Sequence, residues 1–319
     1  MADLLEVRVQ AIVFEADGVL SYEMRRTDGG ELPPFAAGAH VDIHLPDGLV
    51  RSYSLVNPQD ERHRYVIAVQ KDGESRGGSR AVHDRVRAGD LLRISAPRNN
   101  FPLAEDAPHS LLIAGGIGIT PLWCMVQRLE ALGRPWTLHY AVRRREMAAF
   151  LAPIRALAAR RPGRVDITFD GEPGGIMLDI VALVAAAPAD AHLYCCGPLP
   201  MLAAFEAATA GLPPERVHVE YFTAKDEPAT AGGFTVRLAR TGRSVVVPAG
   251  STILDALFAA GLDLPHSCLE GVCGTCETKV LEGVPDHRDL VLTPAERASN
   301  RTMMICCSGS KSETLVLDL

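Results

Sequence analysis

The sequence predicts a multidomain chain: an antiparallel β-barrel, then an α/β unit on a parallel sheet, then a small α+β unit. Three observations predict it. Up to about residue 100, short runs alternate apolar and polar residues and are broken by turn residues. From about residue 108, strand-like runs alternate with helix-like ones, the pattern of a parallel sheet. After an Ala-, Thr-, Gly- and Pro-rich stretch at 223–233, read as a linker, about 88 residues mix strands, a helix and a cysteine-rich loop.

In LEVRVQAIV, Leu5, Val7, Val9, Ala11 and Val13 alternate with polar residues. AHVDIHLP puts Val41, Ile43 and Leu45 on one face, and RYVIAVQ and DLLRIS supply further barrel strands. SLLIAG opens the second unit as a buried strand. TLHYAV, VDITF and AHLYCCG follow as strands, with a helix in EMAAFLAPIRALAA. In the third unit FTVRLA and SVVVP flank the turn RTGR, and TILDALFAAG reads as a helix ended by Gly261. ETKVLEG and TLVLDL are its remaining strands.

Apolar residues make up 47% of the chain and aromatics only 5%, so aliphatic side chains must fill the cores. The net charge of -7 argues against general nucleic-acid binding, which needs a basic surface. The start, MADLLEVRVQ, has acidic residues where an export signal would be basic and then apolar. The longest uncharged apolar stretch, 111–126, is short for a bilayer span and holds glycines and a proline. The expectation is a soluble, cytoplasmic monomer without membrane contact, whose eight cysteines do not form a disulfide framework.

CLEGVCGTC, 268–276, spaces its cysteines C-x4-C-x2-C. A disulfide staple, a zinc site, an iron–sulfur cluster and a chance group of thiols are all conceivable. The spacing matches the plant-type [2Fe–2S] pattern, whose fourth ligand comes from elsewhere. Gly271 and Gly274 let such a loop turn tightly, and Cys306 or Cys307 is available to close it. Zinc would want a second C-x2-C or a His pair, and an adjacent Cys-Cys supplies two tetrahedral ligands poorly. A redox Cys273–Cys276 pair lacks a thioredoxin-like context.

PHSCLEGVCGTCETKVLEG, followed by MMICCSGSKSETLVLDL, resembles the C-terminal part of the phthalate dioxygenase reductase and vanillate demethylase reductase family. The resemblance implies a β-grasp ferredoxin domain over 227–319. Its metal ligands would be Cys268, Cys273, Cys276 and Cys306. Cys306 is chosen because the family tail reads Cys, a small apolar residue, then Ser, which aligns Ser308 and leaves Cys307 as the neighbour.

RSYSL, 51–55, is by itself a strand with one charge. SRGGSRAVHD, 75–84, adds Gly77 and Gly78 before Ser79, which is expected to cap a short helix whose N-terminus suits a phosphate. Together they resemble the flavin domain of ferredoxin-NADP reductase relatives, in its FMN-binding rather than FAD-binding branch. The resemblance implies an FMN domain over 1–105, closed by APRNNFPL. Arg51 and Ser79 would hold the phosphate beside Gly77 and Gly78. Tyr53 and Ser54 would lie against the ring system, with Ser52 and Val69 among the further contacts.

LLIAGGIGITPL, 111–122, leaves a strand and opens a helix. Thr120 is expected as its N-cap and Pro121 as its first residue. Leu122, Met125, Val126, Leu129 and Leu132 form its apolar stripe, and Gly133 ends it. Gly116 and Gly118 allow a pyrophosphate to approach the backbone. Pro121 stands where an ordinary dinucleotide motif has its third glycine. The segment, with YCCGPLPM at 194–201, resembles the pyridine-nucleotide domain of ferredoxin reductases, here 106–226. That resemblance implies Cys196, Gly197 and Pro198 beside the nicotinamide, with Cys195 in the core. Phe222 in VEYF would be the aromatic near the flavin, and Thr120, Cys196 and Phe222 the catalytic positions. Arg143, Arg144 and Arg145 either hold a 2′-phosphate or form a solvated helix start. The resemblance favours NADH, with Arg143 and Asp170 as contacts.

No cysteine has a histidine two residues later, so no Rieske motif exists, and His40 and His44 read as fold residues in a strand. The chain therefore delivers electrons and does not activate oxygen. NADH supplies a hydride, a cluster takes single electrons, and a flavin between them converts one to the other. The expectation is the reductase component of a Rieske-type aromatic-ring oxygenase or O-demethylase, docking transiently on a separate oxygenase. The alternatives are the same relay serving a cytochrome P450, and a non-enzymatic ferredoxin-like redox sensor.

Overall fold

Strand β1 (Leu5–Ala16) begins the barrel and pairs antiparallel with β2 (Val19–Arg26) and β6 (Leu91–Ile94) in a computed structural model describing residues 4–45, 48–73 and 77–319. Residues 1–3 of the opening MADLLEVRVQ, and Ser75 and Arg76 of the glycine segment, lie outside the described residues. With β3 (His40–His44), β4 (Val50–Ser54) and β5 (Tyr65–Gln70) the strand order is β4-β3-β6-β1-β2-β5. A bridge from Leu55 to Ile67 closes the sheet into a barrel. Val41, Ile43 and Leu45 point into its core as expected. Val13 does not: a register shift between Val9 and Ala11 reverses the faces beyond it and leaves Val13 50% exposed. Helix α1 (Gly78–Arg85) packs on β5.

The second sheet, order β11-β10-β7-β8-β9, is wholly parallel. Its strands are β7 (Ser110–Gly115), β8 (Trp136–Val142), β9 (Val165–Phe169), β10 (His192–Cys196) and β11 (Val217–Glu220). The helices between them are α2 (Ile119–Leu132), α3 (Leu151–Arg160), α4 (Ile180–Ala186) and α5 (Leu199–Thr209). Gly133 ends α2 in the left-handed conformation, as expected. Along the α2 stripe Leu122, Met125, Val126 and Leu129 are buried, but Leu132, in the last turn, is 38% exposed. Helix α3 starts later than expected, after a short 3-10 turn at Arg145–Met147.

Barrel and parallel sheet share one core, in which Ala37, Val56 and Phe101 pack with α2. Gln127 donates to the Val56 carbonyl at 2.8 Å, and the Tyr194 hydroxyl accepts the Ala104 N–H at 2.9 Å. The chain through Glu220 is accordingly one compact unit, and Tyr221–Leu319 is another.

The second unit has a mixed five-stranded sheet, order β13-β12-β18-β14-β16. Its strands are β12 (Phe234–Leu238), β13 (Ser244–Val247), β14 (Glu277–Glu282), β16 (Thr302–Met304) and β18 (Thr314–Leu317). A small ribbon pairs β15 (Pro285–Asp286) with β17 (Gly309–Ser310). Helix α6 (Ile253–Ala259) crosses the sheet. It and the short α7 (Pro294–Ser299) each open on a capping box, at Thr252/Asp255 and Thr293/Glu296. Parallel β12–β18 at the centre with antiparallel flanks is the β-grasp arrangement. The 223–233 stretch forms no regular element, yet its second half is tied to this unit through Ala229 N–H to the Cys307 carbonyl at 2.8 Å.

Candidate functional site

The expected phosphate cradle comes together around Arg51. Its side chain lies over the start of α1: a Cβ on Gly78 would meet Arg51 Cγ and Nε at 2.5 Å. Gly77, with φ of 95°, is the N-cap of α1, no side chain caps the helix, and its first turn is free of acids. Helix-terminal amides without a side-chain cap, beside a guanidinium, suit a phosphate. Ser79 is a residue of the helix and not its cap, because the left-handed Gly77 starts the turn earlier; its hydroxyl accepts the Asp72 N–H at 3.2 Å. Ser52 donates to Asp42 at 2.7 Å. Burial pushes the Asp42 carboxyl up, but Arg98, at 2.7 Å, and Ser52 outweigh it and hold it below the usual range. Burial raises the half-buried Tyr53 phenol, and Ser54 is buried one residue on. Val69 is a buried core residue of the barrel, and its carbonyl lies 2.8 Å from His83 Nε2.

The glycine loop after β7 lies at the C-terminal edge of the parallel sheet, where such sheets bind ligands. Gly115 and Gly118 sit directly against Cys196–Pro198. A Cβ on Gly115 would meet Pro198 Cδ at 2.6 Å, and one on Gly118 would meet the Cys196 carbonyl oxygen at 2.2 Å. Gly116, with φ of 53°, faces open space. Thr120 is not the N-cap. A 3-10 turn at Gly116–Gly118 winds straight into α2, so Gly118 takes that position and Pro121 falls third in the helix. The Thr120 hydroxyl is buried and donates to Ile117 O at 3.0 Å. The Cys196 side chain is likewise buried, leaving its backbone to face the loop.

At the ends of β8 and β9, Arg143 Nε stands 4.0 Å from Asp170 Oδ1, a buried oxygen with no hydrogen-bond partner. The arginine triplet is split. Arg145 stacks on the Phe169 ring at 4.8 Å and Arg144 reaches toward Met147, so Arg143 alone of the three lies at Asp170. Glu220 had no role in the sequence reading. It pairs in register with Cys196, and its Oε2 is buried without a partner. Burial pushes its carboxyl up to about 8, so it is mostly protonated at neutral pH and able to donate. Phe222, just inside the second unit, is 38% exposed.

In the cysteine loop Leu269, Gly271 and Gly274 all have positive φ. The backbone wraps so that Glu270 N–H donates to Cys268 Sγ at 3.3 Å, and Thr275 Oγ1 lies 3.2 Å from Cys273 Sγ. The Cys268 thiol interacts with those of Cys273 and Cys306. Cys307 contacts its neighbour Cys306 and faces the Met304 carbonyl at 3.7 Å and Ser308. All eight cysteines are buried and none is in a disulfide. Among the described residues no three His, Cys, Asp or Glu side chains converge on a point where one ion would sit. A two-iron cluster does not ask for that, since its thiolates are divided between two irons. Four reduced, buried cysteines with backbone and hydroxyl donors aimed at sulfur are the donor set such a cluster needs.

Residues 236–310 match the 2Fe-2S iron-sulfur cluster binding domain family, and residues 112–207 match the oxidoreductase NAD-binding domain family. Over 99% of this chain and 97% of the relative, the sequence is 58% identical to phenoxybenzoate dioxygenase subunit beta of Ectopseudomonas oleovorans. It is 46% identical to vanillate O-demethylase oxidoreductase of a Pseudomonas strain, over 99% of this chain and all of that one. The solved structure of phthalate dioxygenase reductase superposes with a TM-score of 0.74 at 38% identity, covering 99% of this chain and 98% of that one. The chain belongs to the phthalate dioxygenase reductase and vanillate O-demethylase oxidoreductase family. It is an oxidoreductase with an NAD-binding and a [2Fe–2S]-binding module. A self-sufficient cytochrome P450 monooxygenase also superposes, with a TM-score of 0.88 at 39% identity. This chain spans 41% of that protein's length. Among the described residues of this reductase no helix is long and apolar enough to cross a membrane.

Proposed function

We propose that this reductase takes a hydride from NADH onto FMN and passes single electrons through the [2Fe–2S] cluster to a separate Rieske-type aromatic-ring oxygenase or O-demethylase. The observation that carries the reading is end-to-end similarity to oxygenase-system relatives, including phenoxybenzoate dioxygenase subunit beta, in a chain that itself has no Rieske motif. In this reading Arg51 and the α1 amides bind the FMN phosphate, and Tyr53 and Ser54 line the ring. Gly116 and Gly118 let the NADH pyrophosphate approach the backbone, Cys196–Pro198 lie beside the nicotinamide, and Asp170 and Arg143 bind the adenosine half. Cys268, Cys273, Cys276 and Cys306 hold the cluster. Docking on the oxygenase is transient, and the reductase is a cytoplasmic monomer. The flavin supplies the change from two-electron to one-electron chemistry.

Anaerobic titration with NADH tests the relay: both a flavin band and a [2Fe–2S] band must bleach, and a protein in which neither does would sink it. Reconstitution with candidate oxygenases and product analysis tests the acceptor. A P450 acceptor is the second reading, favoured by the superposition on the P450 fusion. Turnover with a P450 and none with any Rieske oxygenase would select it.

A further inference from the structure

Behind the cysteine loop, the segment from Asp286 to Arg297 carries a buried charged group that the relay itself does not use. Asp289 is 1% exposed. Its Oδ2 accepts the N–H groups of Val291 at 3.2 Å and Leu292 at 2.8 Å. The Arg297 guanidinium lies 3.9 Å from the carboxylate and also donates to the Asp289 carbonyl. Oδ1 has no hydrogen-bond partner and faces His287 Nδ1 at 3.6 Å, and neither ring nitrogen of His287 has one either. Burying a carboxylate and leaving polar atoms unmatched around it is a poor way to gain stability; apolar side chains would fill the space better.

This group presses on the cluster loop. Leu290 N–H donates to the Gly271 carbonyl at 2.9 Å. A Cβ on Gly271 would meet Asp289 Cα at 3.0 Å and Cys307 Sγ at 2.4 Å, so nothing separates the aspartate's backbone from the loop. The Asp289 charge also reaches the Cys307 thiol, adding to the larger effects of the Cys306 contact and burial there.

We propose that Asp289 is a fixed negative charge that holds down the reduction potential of the cluster, with Arg297 as the counter-charge that limits its effect. Reduction adds one electron to the cluster and so one negative charge. A carboxylate a short distance away in a medium of low dielectric disfavours that state, and a neighbouring cation favours it. Net charge around a cluster is one of the protein's main controls on its potential. The inference rests on the cysteine loop holding a [2Fe–2S] cluster.

The test is an anaerobic, dye-mediated redox titration of the holoprotein, following the cluster by electron paramagnetic resonance and the flavin optically. Asp289→Asn is expected to move the cluster midpoint to more positive potential and Arg297→Gln to move it to more negative potential. The resonance positions and the flavin midpoints should stay where they are. Shifts of opposite sign mark charge; loosened packing has no reason to produce them. A cluster-bearing Asp289→Asn protein with an unmoved midpoint, or two shifts in the same direction, overturns the proposal. Should Asp289→Asn fail to take up iron, Arg297→Gln decides alone, and an unmoved or more positive midpoint overturns it. A wild-type protein without any [2Fe–2S] signal instead refutes the cluster reading, which keeps the two failures distinct.

Discussion

The Cβ that Gly118 lacks would lie 2.2 Å from the carbonyl oxygen of Cys196 and 2.8 Å from Gly197 N. Two motifs far apart in sequence are thereby locked backbone to backbone at the end of the parallel sheet. Gly118→Ala has no backbone penalty, since Gly118 is right-handed, so its whole effect is the clash. It should cost about 1–3 kcal/mol of stability by overpacking and raise KM for NADH. Thermal unfolding and the kinetics of NADH-dependent ferricyanide reduction measure the two. A variant with unchanged KM would show that this junction does not shape the nucleotide site.

Arg51 and Gly78 allow a paired test of the phosphate cradle. Arg51→Gln removes the charge, and Gly78→Ala puts a methyl group 2.5 Å from Arg51 Cγ and Nε. A lost charge-assisted hydrogen bond is worth about 1.5–3 kcal/mol, so FMN affinity should fall by about tenfold or more in Arg51→Gln. Gly78→Ala should weaken it in the same direction. Equilibrium dialysis with FMN reads both, and retention of full affinity by Arg51→Gln would remove Arg51 from the site.

How much of this was legible in the sequence depended on whether the deciding force was local. Val41, Ile43 and Leu45 were legible because a regular strand alternates faces, and Val13 was not, because one extra residue near Gln10 reverses the alternation. Ser79 and Thr120 are good capping residues by type, yet a glycine starts each helix ahead of them. The clustering of Arg51 with Gly78, and of Gly118 with Cys196, followed motifs that could be paired by resemblance. Glu220 and Asp289 had no such signal. An acidic residue is ordinarily exposed, and only the packing of distant segments buries these two. Leu269 was hidden for the opposite reason: left-handed backbone favours glycine, and the loop imposes it on a leucine that is 38% exposed.

His192 and His218 supply a pH dependence that has nothing to do with the redox sites. His192 Nδ1 and His218 Nε2 are 3.0 Å apart, and the His218 ring stacks on Tyr194 at 4.3 Å. Burial, with His192 adding to it, pushes His218 down to about 4. An unfolded histidine titrates at about 6.5. Between these values the unfolded chain binds a proton that the folded chain refuses, so stability falls as pH drops below about 6.5 and levels off below about 4. The total loss is on the order of 3 kcal/mol at most. Urea unfolding at pH 7.5 and pH 5 should show a lower midpoint at pH 5, and His218→Phe should flatten that difference. An unchanged difference in His218→Phe would place the sensitivity elsewhere.

The adjacent pair Cys306 and Cys307 offers the sharpest single-atom test. Cys306 is the one whose thiol interacts with that of Cys268, while Cys307 Sγ is turned toward the Met304 carbonyl and the bare side of Gly271. The two positions therefore differ in what a serine would cost. In Cys306→Ser an alkoxide must replace a thiolate on iron, which disfavours the cluster. In Cys307→Ser a hydroxyl replaces a thiol in contact with a carbonyl it can still donate to, and the cluster loop keeps its Gly271 contact. Cys306→Ser should thus lose most of its iron and its [2Fe–2S] absorption while keeping the flavin, and Cys307→Ser should keep near wild-type iron content. Iron and flavin per chain, measured on both purified proteins, check this. The reverse pattern would move the fourth ligand to Cys307 and require the chain after Met304 to turn its other face to the loop.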